Sequence, residues 1–328
     1  MNLSGQLAAF GKSLDVLLQV EDSFETKPLY DCIRKANHYN HWFSEDAVVA
    51  HLKTIASFLQ SNNFDYQSKT ITNKIAFISE ERIPLEEFSN ILTAILYGNS
   101  VVYKEAKKHD CVMKYVMELL LKAIPEIKEN FSFEEGVLPI VDSYYISSRE
   151  PKPLLEQKYY LNKKALFEAR YQSVAVLDST ISDEELKLLA LDVFDFYGQS
   201  CASVRKIYIP ENFDIRRIYE PFEIYSNMLN HNAYANNFQY NQSVYLLNRI
   251  PHYDNGFLLL KEDKSRKVPT GVVFYDFYKD KITLLDELDK ADFFKIYTSS
   301  PRNKKELTFG SSKSQLLGVS EIFIEFVK

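Results

Sequence analysis

The chain has 328 residues, a formal net charge of −6 and three cysteines that lie far apart in the sequence. This length is enough for one large or two smaller α/β domains with well-filled cores. The charge argues against a nucleic-acid partner, and the scattered cysteines argue against a disulfide framework or a metal site. No stretch is long and apolar enough to span a membrane, and no signal peptide is recognised, so a cytoplasmic location is expected.

Strand-like and helix-like patterns alternate along most of the chain. Short apolar runs are separated by segments whose apolar residues recur three or four apart, which is typical of parallel sheets covered by helices. The predicted strands are 74–78, 100–103, one within 137–146, 173–177, 206–209, 271–275, 294–298 and 321–326; the predicted helices lie within 3–60 and at 84–97, 109–124, 182–197, 215–229 and 284–288. Because the rhythm occurs twice, we predict two α/β domains, with a boundary near residues 161–171.

Residues 227–241 are unusually rich in asparagine, tyrosine and histidine. Asparagine side chains compete with the backbone for hydrogen bonds and therefore disfavour regular elements. The segment predicts a long ordered loop. Such a loop either lies near a functional site or is a surface loop held by its own side-chain hydrogen bonds.

Cys201 is the candidate nucleophile of this sequence. It follows Gly198-Gln199-Ser200 in a turn between a predicted helix and a predicted strand. Arg205 and Lys206 come shortly after it, and nearby cations favour a thiolate. The alternative is a small buried cysteine without a chemical role, because free cysteine is among the most buried residue types.

The segment from Tyr197 to Pro210 resembles the nucleophile segment of the aldehyde dehydrogenase superfamily, which has a Gly-Gln-x-Cys core. The asparagine- and tyrosine-rich region with Tyr245 to Arg249 resembles the long-chain acyl-CoA reductase branch, the fatty acid reductase component of bioluminescence systems. The resemblance implies an aldehyde dehydrogenase-like α/β fold. It consists of an open-sheet cofactor domain, here residues 1–165 with a helical N-terminus, and a second α/β catalytic domain, here residues 166–265 with Cys201. Residues 266–328 would form a return segment.

Further residues match the family in the expected order. Lys104 ends a Gly-Asn turn and strand, and the resemblance implies that it contacts the adenosine ribose; the alternative is a solvated lysine at a strand end. Glu262 matches the glutamate that binds the nicotinamide ribose. Glu168 lies about as far before Cys201 as the general-base glutamate does. Phe309-Gly310 with Lys313 resembles a late Phe-Gly element.

The sequence also departs from the family. Arg82 stands where the family has an asparagine that donates to the oxyanion, and Ser147-Ser148-Arg149 replaces the Thr-Gly-Ser turn that approaches the cofactor, which leaves Ser148 as the candidate contact there. The whole chain has only nine glycines, whereas a usual share is roughly 7% of residues. Glycines let the backbone approach a dinucleotide closely. Cofactor binding should therefore be weak and should depend on arginine.

The resemblance implies reduction of a fatty acyl thioester, on CoA or a carrier protein, to an aldehyde. Cys201 would form a thioester and NADPH or NADH would supply the hydride. An acyl-transferring enzyme or a carrier protein would be a partner, and a homo- or hetero-oligomer is compatible with this family. Two other readings stay open. One is a non-catalytic homologue that has lost the cofactor and binds an acyl thioester or an enzyme partner. The other is an acyltransferase that uses Cys201 without hydride.

Overall fold

The computed structural model describes residues 2–19, 24, 26–64, 73–104, 111–148, 154–160, 162–169, 172–291, 295–315 and 317–328. The chain divides into two compact units. The first unit comprises Met1–Ala169 together with Leu317–Lys328, and the second comprises Arg170–Leu316. Among the helices of the described residues, none has the length and apolar character needed to cross a membrane.

The first unit contains a parallel sheet in the order β3-β2-β1-β4-β5. Its described strands are β1 (Lys74–Ser79), β2 (Ser100–Lys104), β3 (Phe131–Glu134), β4 (Ser143–Ser148) and β5 (Lys164–Ala169). Its described helices are α1 (Leu3–Leu17), α2 (Lys27–Tyr39), α3 (Glu45–Ser61), α4 (Phe88–Leu96), α5 (Cys111–Ala123), α6 (Leu154–Tyr159) and α12 (Glu321–Val327). The strand order reverses between β1 and β4, and ligands of open α/β sheets bind outside the carboxyl ends of the strands at such a point.

The helices of the first unit follow the predicted periodicity. Helix α3 begins after Ser44, whose side chain accepts a hydrogen bond from the Ala47 N–H, and two acidic residues occupy its first turn. Helix α4 buries almost every residue, including the polar Ser89 and Asn90. The alternation of buried strands and helices in this unit confirms the α/β prediction.

The predicted strand at 321–326 is wrong, because this segment is helix α12. Ser320 caps the helix by accepting from the Phe323 N–H. Phe323 and Val327, four residues apart, are buried, whereas Ile322 is 67% exposed. In so short a run the apolar residues fit the two-residue period of a strand as well as the period of a helix. The structure resolves this ambiguity, because the buried residues lie on one helical face.

The second unit contains a sheet in the order β12-β11-β6-β7-β10-β9-β8, which is parallel except for the pair β8–β9. Its described strands are β6 (Ser173–Val176), β7 (Val204–Pro210), β8 (Tyr253–Asp254), β9 (Leu259–Glu262), β10 (Val272–Tyr278), β11 (Ile296–Thr298) and β12 (Glu306–Leu307). Its described helices are α7 (Asp183–Phe194), α8 (Tyr219–Phe222), α9 (Asn232–Leu247), α10 (Lys281–Asp289) and α11 (Ser312–Gln315). The helix predicted at 215–229 is a series of short helical turns around α8.

The predicted loop at 227–241 is also wrong, because most of it belongs to helix α9. Tyr234, Phe238, Asn241 and Tyr245 are buried at helical spacing. The side chain of Asn237 donates to the carbonyl of Ala233, one turn earlier, and Asn241 donates in the same way to Asn237. The asparagine side chains thus bond along the helix instead of competing with it.

The observed division into units falls at Ala169/Arg170 and Leu316/Leu317. The residues 317–328 belong to the first unit, to which α12 contributes the buried Phe323. The functional labels given to residues 1–165, 166–265 and 266–328 remain predictions.

Two glycines of the second unit allow a matched test of its packing. Gly271 (φ +79) and Gly256 (φ +92) both lie in the left-handed region, but a Cβ on Gly271 would stand 3.0 Å from the Cα of Phe238 on α9, whereas a Cβ on Gly256 would meet nothing within 4 Å. Gly256→Ala should lower the free energy of unfolding by about 1–2 kcal/mol, because only the backbone is strained. Gly271→Ala should lower it by about 1–3 kcal/mol more, because α9 must also move. Urea unfolding measures both variants, and equal losses would contradict the packing of α9 against Gly271.

Candidate active site

Cys201 follows a strained turn at the end of helix α7. Phe196 (φ 48) and Tyr197 (φ 56) are both left-handed, and Gly198 (φ 70) continues the same conformation. This conformation costs a non-glycine residue about 1–2 kcal/mol. Such strain persists only where the surrounding structure enforces it, and it is concentrated at functional sites.

The guanidinium of Arg205, which is 3% exposed, enforces this turn. It donates to the carbonyl of Gly198 at 2.9 Å and to the carbonyls of Val268, at 3.3 Å, and Pro269. A Cβ on Gly198 would stand 2.5 Å from Arg205 Nη1, so glycine is required for this contact. Arg205 was expected to act on the thiol, but these three contacts direct its donors to backbone carbonyls.

Lys206, the second cation of the motif, faces strand β10. Its ammonium lies 3.5 Å from the carboxylate of Asp276 and 4.9 Å from the ring centroid of Tyr208. Burial lowers the pKa of Lys206, and Asp276 opposes that effect. The ammonium is therefore paired within the sheet.

Side chains from two strands hold the backbone at Cys201 and Ala202. Ser173 at the start of β6 donates its hydroxyl proton to the Cys201 carbonyl at 2.9 Å. Tyr297 of β11 donates to the Ala202 carbonyl at 3.0 Å. The Ala202 N–H donates to the Ser200 hydroxyl at 3.0 Å. Cys201 is 3% exposed, so its thiol is buried and its backbone is held in position.

Lys295, just before β11, is a cation that sequence reasoning missed. Burial lowers the pKa of its ammonium, and the negative charge of a Cys201 thiolate opposes that effect. The charges of the two groups are thus coupled, while the Lys295 ammonium itself donates to the Lys304 carbonyl at 3.3 Å. A neighbouring ammonium favours the thiolate form of a cysteine. Because Lys295 lies 94 positions after Cys201 in the sequence, no local motif could have indicated the pair.

The other two cysteines have a different environment. Cys32 and Cys111 lie together in the first unit, where the Cys111 thiol donates to the Cys32 carbonyl at 3.4 Å. The contact with Cys111, together with burial, raises the pKa of the Cys32 thiol. Cys32 is thus a poor nucleophile at neutral pH.

A buried carboxylate on α7 holds the segment that resembles the late Phe-Gly element. Asp192 accepts hydrogen bonds from the N–H groups of Gly310, at 2.6 Å, and Ser312, at 2.9 Å. Burial raises the pKa of Asp192 to about 6. Burial likewise raises the pKa of Asp195 to about 7, and the charge of Lys313 opposes the shift.

The remaining sequence-predicted residues lie at separate places within their units. Glu262 is exposed at the end of β9. Lys104 ends β2, where its ammonium donates to the carbonyls of Glu135, at 3.0 Å, and Gly136. Ser148 and Glu168 are on the adjacent strands β4 and β5. Arg149 lies outside the described residues. The roles predicted for Lys104, Ser148, Glu168, Glu262 and Arg82 stay predictions.

Glu168 and Arg82 each contact groups of the first unit. Glu168 accepts a short hydrogen bond from the Tyr145 hydroxyl. The N–H of Arg82 donates to the Glu86 carboxylate at 3.0 Å. Glu168 is the register partner of Ser147 and Ser148 that of Ala169, so Ser148 and Glu168 lie at the carboxyl ends of adjacent strands but on opposite faces of the sheet.

Solved structures identify the fold, although no family model and no curated protein matches the chain. Aldehyde dehydrogenase 21 from Physcomitrella patens, solved with succinate, matches with 14% identity and a TM-score of 0.60, over 92% of this chain and 74% of that one. NADP-dependent glyceraldehyde-3-phosphate dehydrogenase from Bacillus halodurans, complexed with NADP, matches with 13% identity and a TM-score of 0.60, over 90% and 72%. A mutant of aldehyde dehydrogenase C from Pseudomonas syringae, in complex with NAD+ and octanal, matches with 12% identity and a TM-score of 0.57, over 92% and 78%.

This is the aldehyde dehydrogenase fold. The fold class predicted from the sequence is therefore confirmed. Identities this low establish the fold alone, so the acyl-CoA reductase branch remains a prediction.

The aldehyde dehydrogenase fold implies a nicotinamide dinucleotide, and the first unit can be tested for its fit. The pyrophosphate is anionic and needs close backbone approach at the carboxyl ends of β1 and β4. The loop 80–87 contains no glycine, four glutamates and one arginine. Three of these carboxylates, on Glu81, Glu86 and Glu87, are at most 4% exposed. The described residues of this edge do not fit a dinucleotide.

The raised pKa of Asp192 generates a prediction about pH and stability. The folded protein keeps the Asp192 proton up to pH about 6, whereas an unfolded aspartate releases it near pH 4. Between these values the folded state binds more protons, so the contribution of Asp192 to stability falls as pH rises. Relative to Asp192→Asn, the wild-type free energy of unfolding should fall by up to about 1.4 kcal/mol per pH unit in this window.

Urea unfolding at several pH values checks this slope. Asp280→Asn is a matched control in which the dependence of stability on pH has the opposite sign, because hydrogen bonds from Thr283 lower the pKa of Asp280. Its contribution to stability is lost as pH falls below about 4. A wild-type curve parallel to that of Asp192→Asn would contradict the raised pKa.

Proposed function

We propose that the protein takes an acyl group from a thioester onto Cys201. The observation that carries this proposal is the strained turn before Cys201, which Arg205 and Gly198 lock. The electrostatic coupling of the Lys295 ammonium to the Cys201 thiolate supports it. A buried cysteine with no chemical role requires neither a strained turn nor a neighbouring cation.

The proposed step is a thiol exchange. The Cys201 thiolate attacks the carbonyl carbon of the thioester, the bond from that carbon to the carrier sulfur breaks, and the carrier leaves as a thiolate. The acyl group is then bound to Cys201, with no change of oxidation state. Lys295 favours the attacking thiolate through its charge.

A fatty acyl chain on CoA or on a carrier protein is the proposed substrate. The Pseudomonas syringae protein of this fold was solved with octanal, which supports an apolar chain as the ligand of the fold. A carrier protein or an acyl-transferring enzyme would be the partner, in a homo- or hetero-oligomer.

The reaction implied by the family resemblance continues with reduction of the acyl group by NADPH or NADH. Proteins of this fold bind NAD or NADP, which supports an oxidoreductase ancestry for the chain. The carboxylate-lined edge of the first unit argues against the hydride step in this protein.

A non-catalytic homologue that binds an acyl thioester or an enzyme partner is the second candidate. The low exposure of Cys201, 3%, together with the same carboxylate-lined edge, favours it. It differs from the first candidate in one result, because it predicts binding of the thioester without a covalent bond to Cys201.

Acylation of Cys201 is testable by intact mass. Incubation with a long-chain acyl-CoA should add one acyl group to the wild-type protein, and Cys201→Ala should remain unmodified because the attacking sulfur is absent. Cys32→Ala and Cys111→Ala serve as matched controls that should still be acylated. An acylated Cys201→Ala variant, or a wild-type protein that never gains the acyl mass, would contradict the proposal.

The role of Lys295 is testable through the pH dependence of acylation. Lys295→Met should move the midpoint of the rate–pH profile upward, because the thiolate loses its neighbouring charge. A shift of one pH unit corresponds to about tenfold slower acylation near neutral pH. Lys206→Met, which removes an ammonium paired with Asp276, should leave the midpoint in place. If the rate–pH profiles of Lys295→Met and Lys206→Met had the same midpoint, Lys295 would have no role at the thiol.

A further inference from the structure

A carboxylate inside the first unit joins the ends of two parallel strands. Glu87 is fully buried. Its Oε1 accepts from the hydroxyls of Ser79, at 2.9 Å, and Ser147, at 2.5 Å, and its Oε2 accepts from the amide of Asn90 at 2.9 Å. Ser79 and Ser147 are register partners at the carboxyl ends of β1 and β4. The carboxylate therefore has donors from both strands and from α4.

This carboxylate lies where the strand order reverses. In doubly wound sheets the pyrophosphate of a dinucleotide lies at this reversal, outside the carboxyl ends of the strands and at the N-terminus of a following helix. Here Glu87 is the residue that precedes α4, so the chain places its own anion at that helix N-terminus. A bound pyrophosphate would have to stand beside a buried carboxylate, which is electrostatically unfavourable.

The strands do not open at this point. The Glu80 N–H donates to the Ser147 carbonyl at 3.3 Å, which continues the ladder past the last residue of β1. The loop is also fixed from α3, because the Nδ1 atom of His51 lies 2.6 Å from the Pro84 carbonyl. Burial lowers the pKa of His51 to about 4, so at neutral pH His51 is uncharged and this contact adds no cation.

A second chain of hydrogen bonds extends this arrangement to β5. Asn90 donates to the Tyr145 hydroxyl at 3.0 Å, and Tyr145 in turn donates to Glu168. Each described side chain of this set thus binds another member of the set. The carboxylates of Glu87 and Glu168 thus find their donors within the chain itself, whereas the Oδ1 of Asn90 is buried without a hydrogen-bond partner among the described residues.

We propose that the Glu87 network fills the dinucleotide crevice of the fold, and that the protein moves acyl groups between thiols without a hydride. The second clause rests on the proposed function of Cys201. The acyl group on Cys201 is a thioester, so the step that formed it also runs in reverse. An incoming thiolate attacks the carbonyl carbon, the bond to the Cys201 sulfur breaks, and Cys201 leaves as a thiolate. A thiol such as CoA is the acceptor, and no electrons are transferred.

The exchange is tested on the full chain with a long-chain acyl-CoA and isotope-labelled CoA. Label should enter the acyl-CoA pool with the wild-type protein and not with Cys201→Ala. Addition of NADPH or NADH should change neither the rate nor the products. Calorimetric titration should show no saturable dinucleotide binding up to about 1 mM, the upper end of ordinary KM values.

The outcomes separate the two proposals. Saturable binding of either dinucleotide, or aldehyde formation with NADPH, would overturn the inference and leave the acylation of Cys201 intact. A protein that is never acylated would overturn the proposed function and the exchange with it, while the titration would still decide whether the crevice is filled.

The network itself is tested by hydrogen exchange. Glu87→Leu should speed amide exchange at the carboxyl ends of β1 and β4, because it keeps the side-chain volume and removes the acceptor of the two serine hydroxyls. Asp142→Leu is the matched control, since Asp142 accepts from the Lys74 N–H at the opposite end of β1. Unchanged exchange at Glu80 and Ser147 in Glu87→Leu would overturn the role of Glu87 in closing this edge.

Discussion

Three backbone carbonyls converge on the buried guanidinium of Arg205, and the presentation of Cys201 depends on them. A buried cation must be paired or fully hydrogen-bonded, and here the carbonyls of a strained turn and of a neighbouring loop supply the acceptors. The first unit uses the reverse arrangement, in which the anion of Glu87 is bound by two hydroxyls and an amide. In each unit, one buried charge thus fixes the local backbone where strands end or begin.

The fold class can be predicted from the sequence because strands of a parallel sheet are buried on both faces. Such strands appear as short apolar runs, and these alternate with the patterns of amphipathic helices. Strands β1, β2, β6 and β7 and the capped helix α7 lie where the pattern predicts them. The composition of helix α9 conceals it, because its asparagines bond along the helix and only the spacing of its buried residues shows the helical period. The 321–326 segment cannot be assigned from its sequence, because six residues fit the period of a strand and that of a helix equally well. Only the packing of one face against the first unit identifies the helix.

The candidate site was predictable only as far as local sequence reaches. Cys201 and Gly198 share one turn, so a motif could indicate them. The electrostatic coupling of Cys201 to Lys295 depends on strand order, which brings β11 beside β6, and no spacing rule contains that information. The low glycine count predicts an unusual cofactor edge, but it does not point to Glu87, which we propose fills that edge.

The first unit is discontinuous in sequence, because helix α12 returns to it after the whole of the second unit. The ring of Phe323 lies 4.9 Å from that of Tyr145 and 5.9 Å from that of Phe77, and Asn99 donates to the Val327 carbonyl. During synthesis, these residues emerge only after all 147 residues from Arg170 to Leu316. Domains usually complete folding in order from the N-terminus. Here the nascent first unit must wait with an open core, and its apolar surface is exposed to chaperones until the last helix arrives.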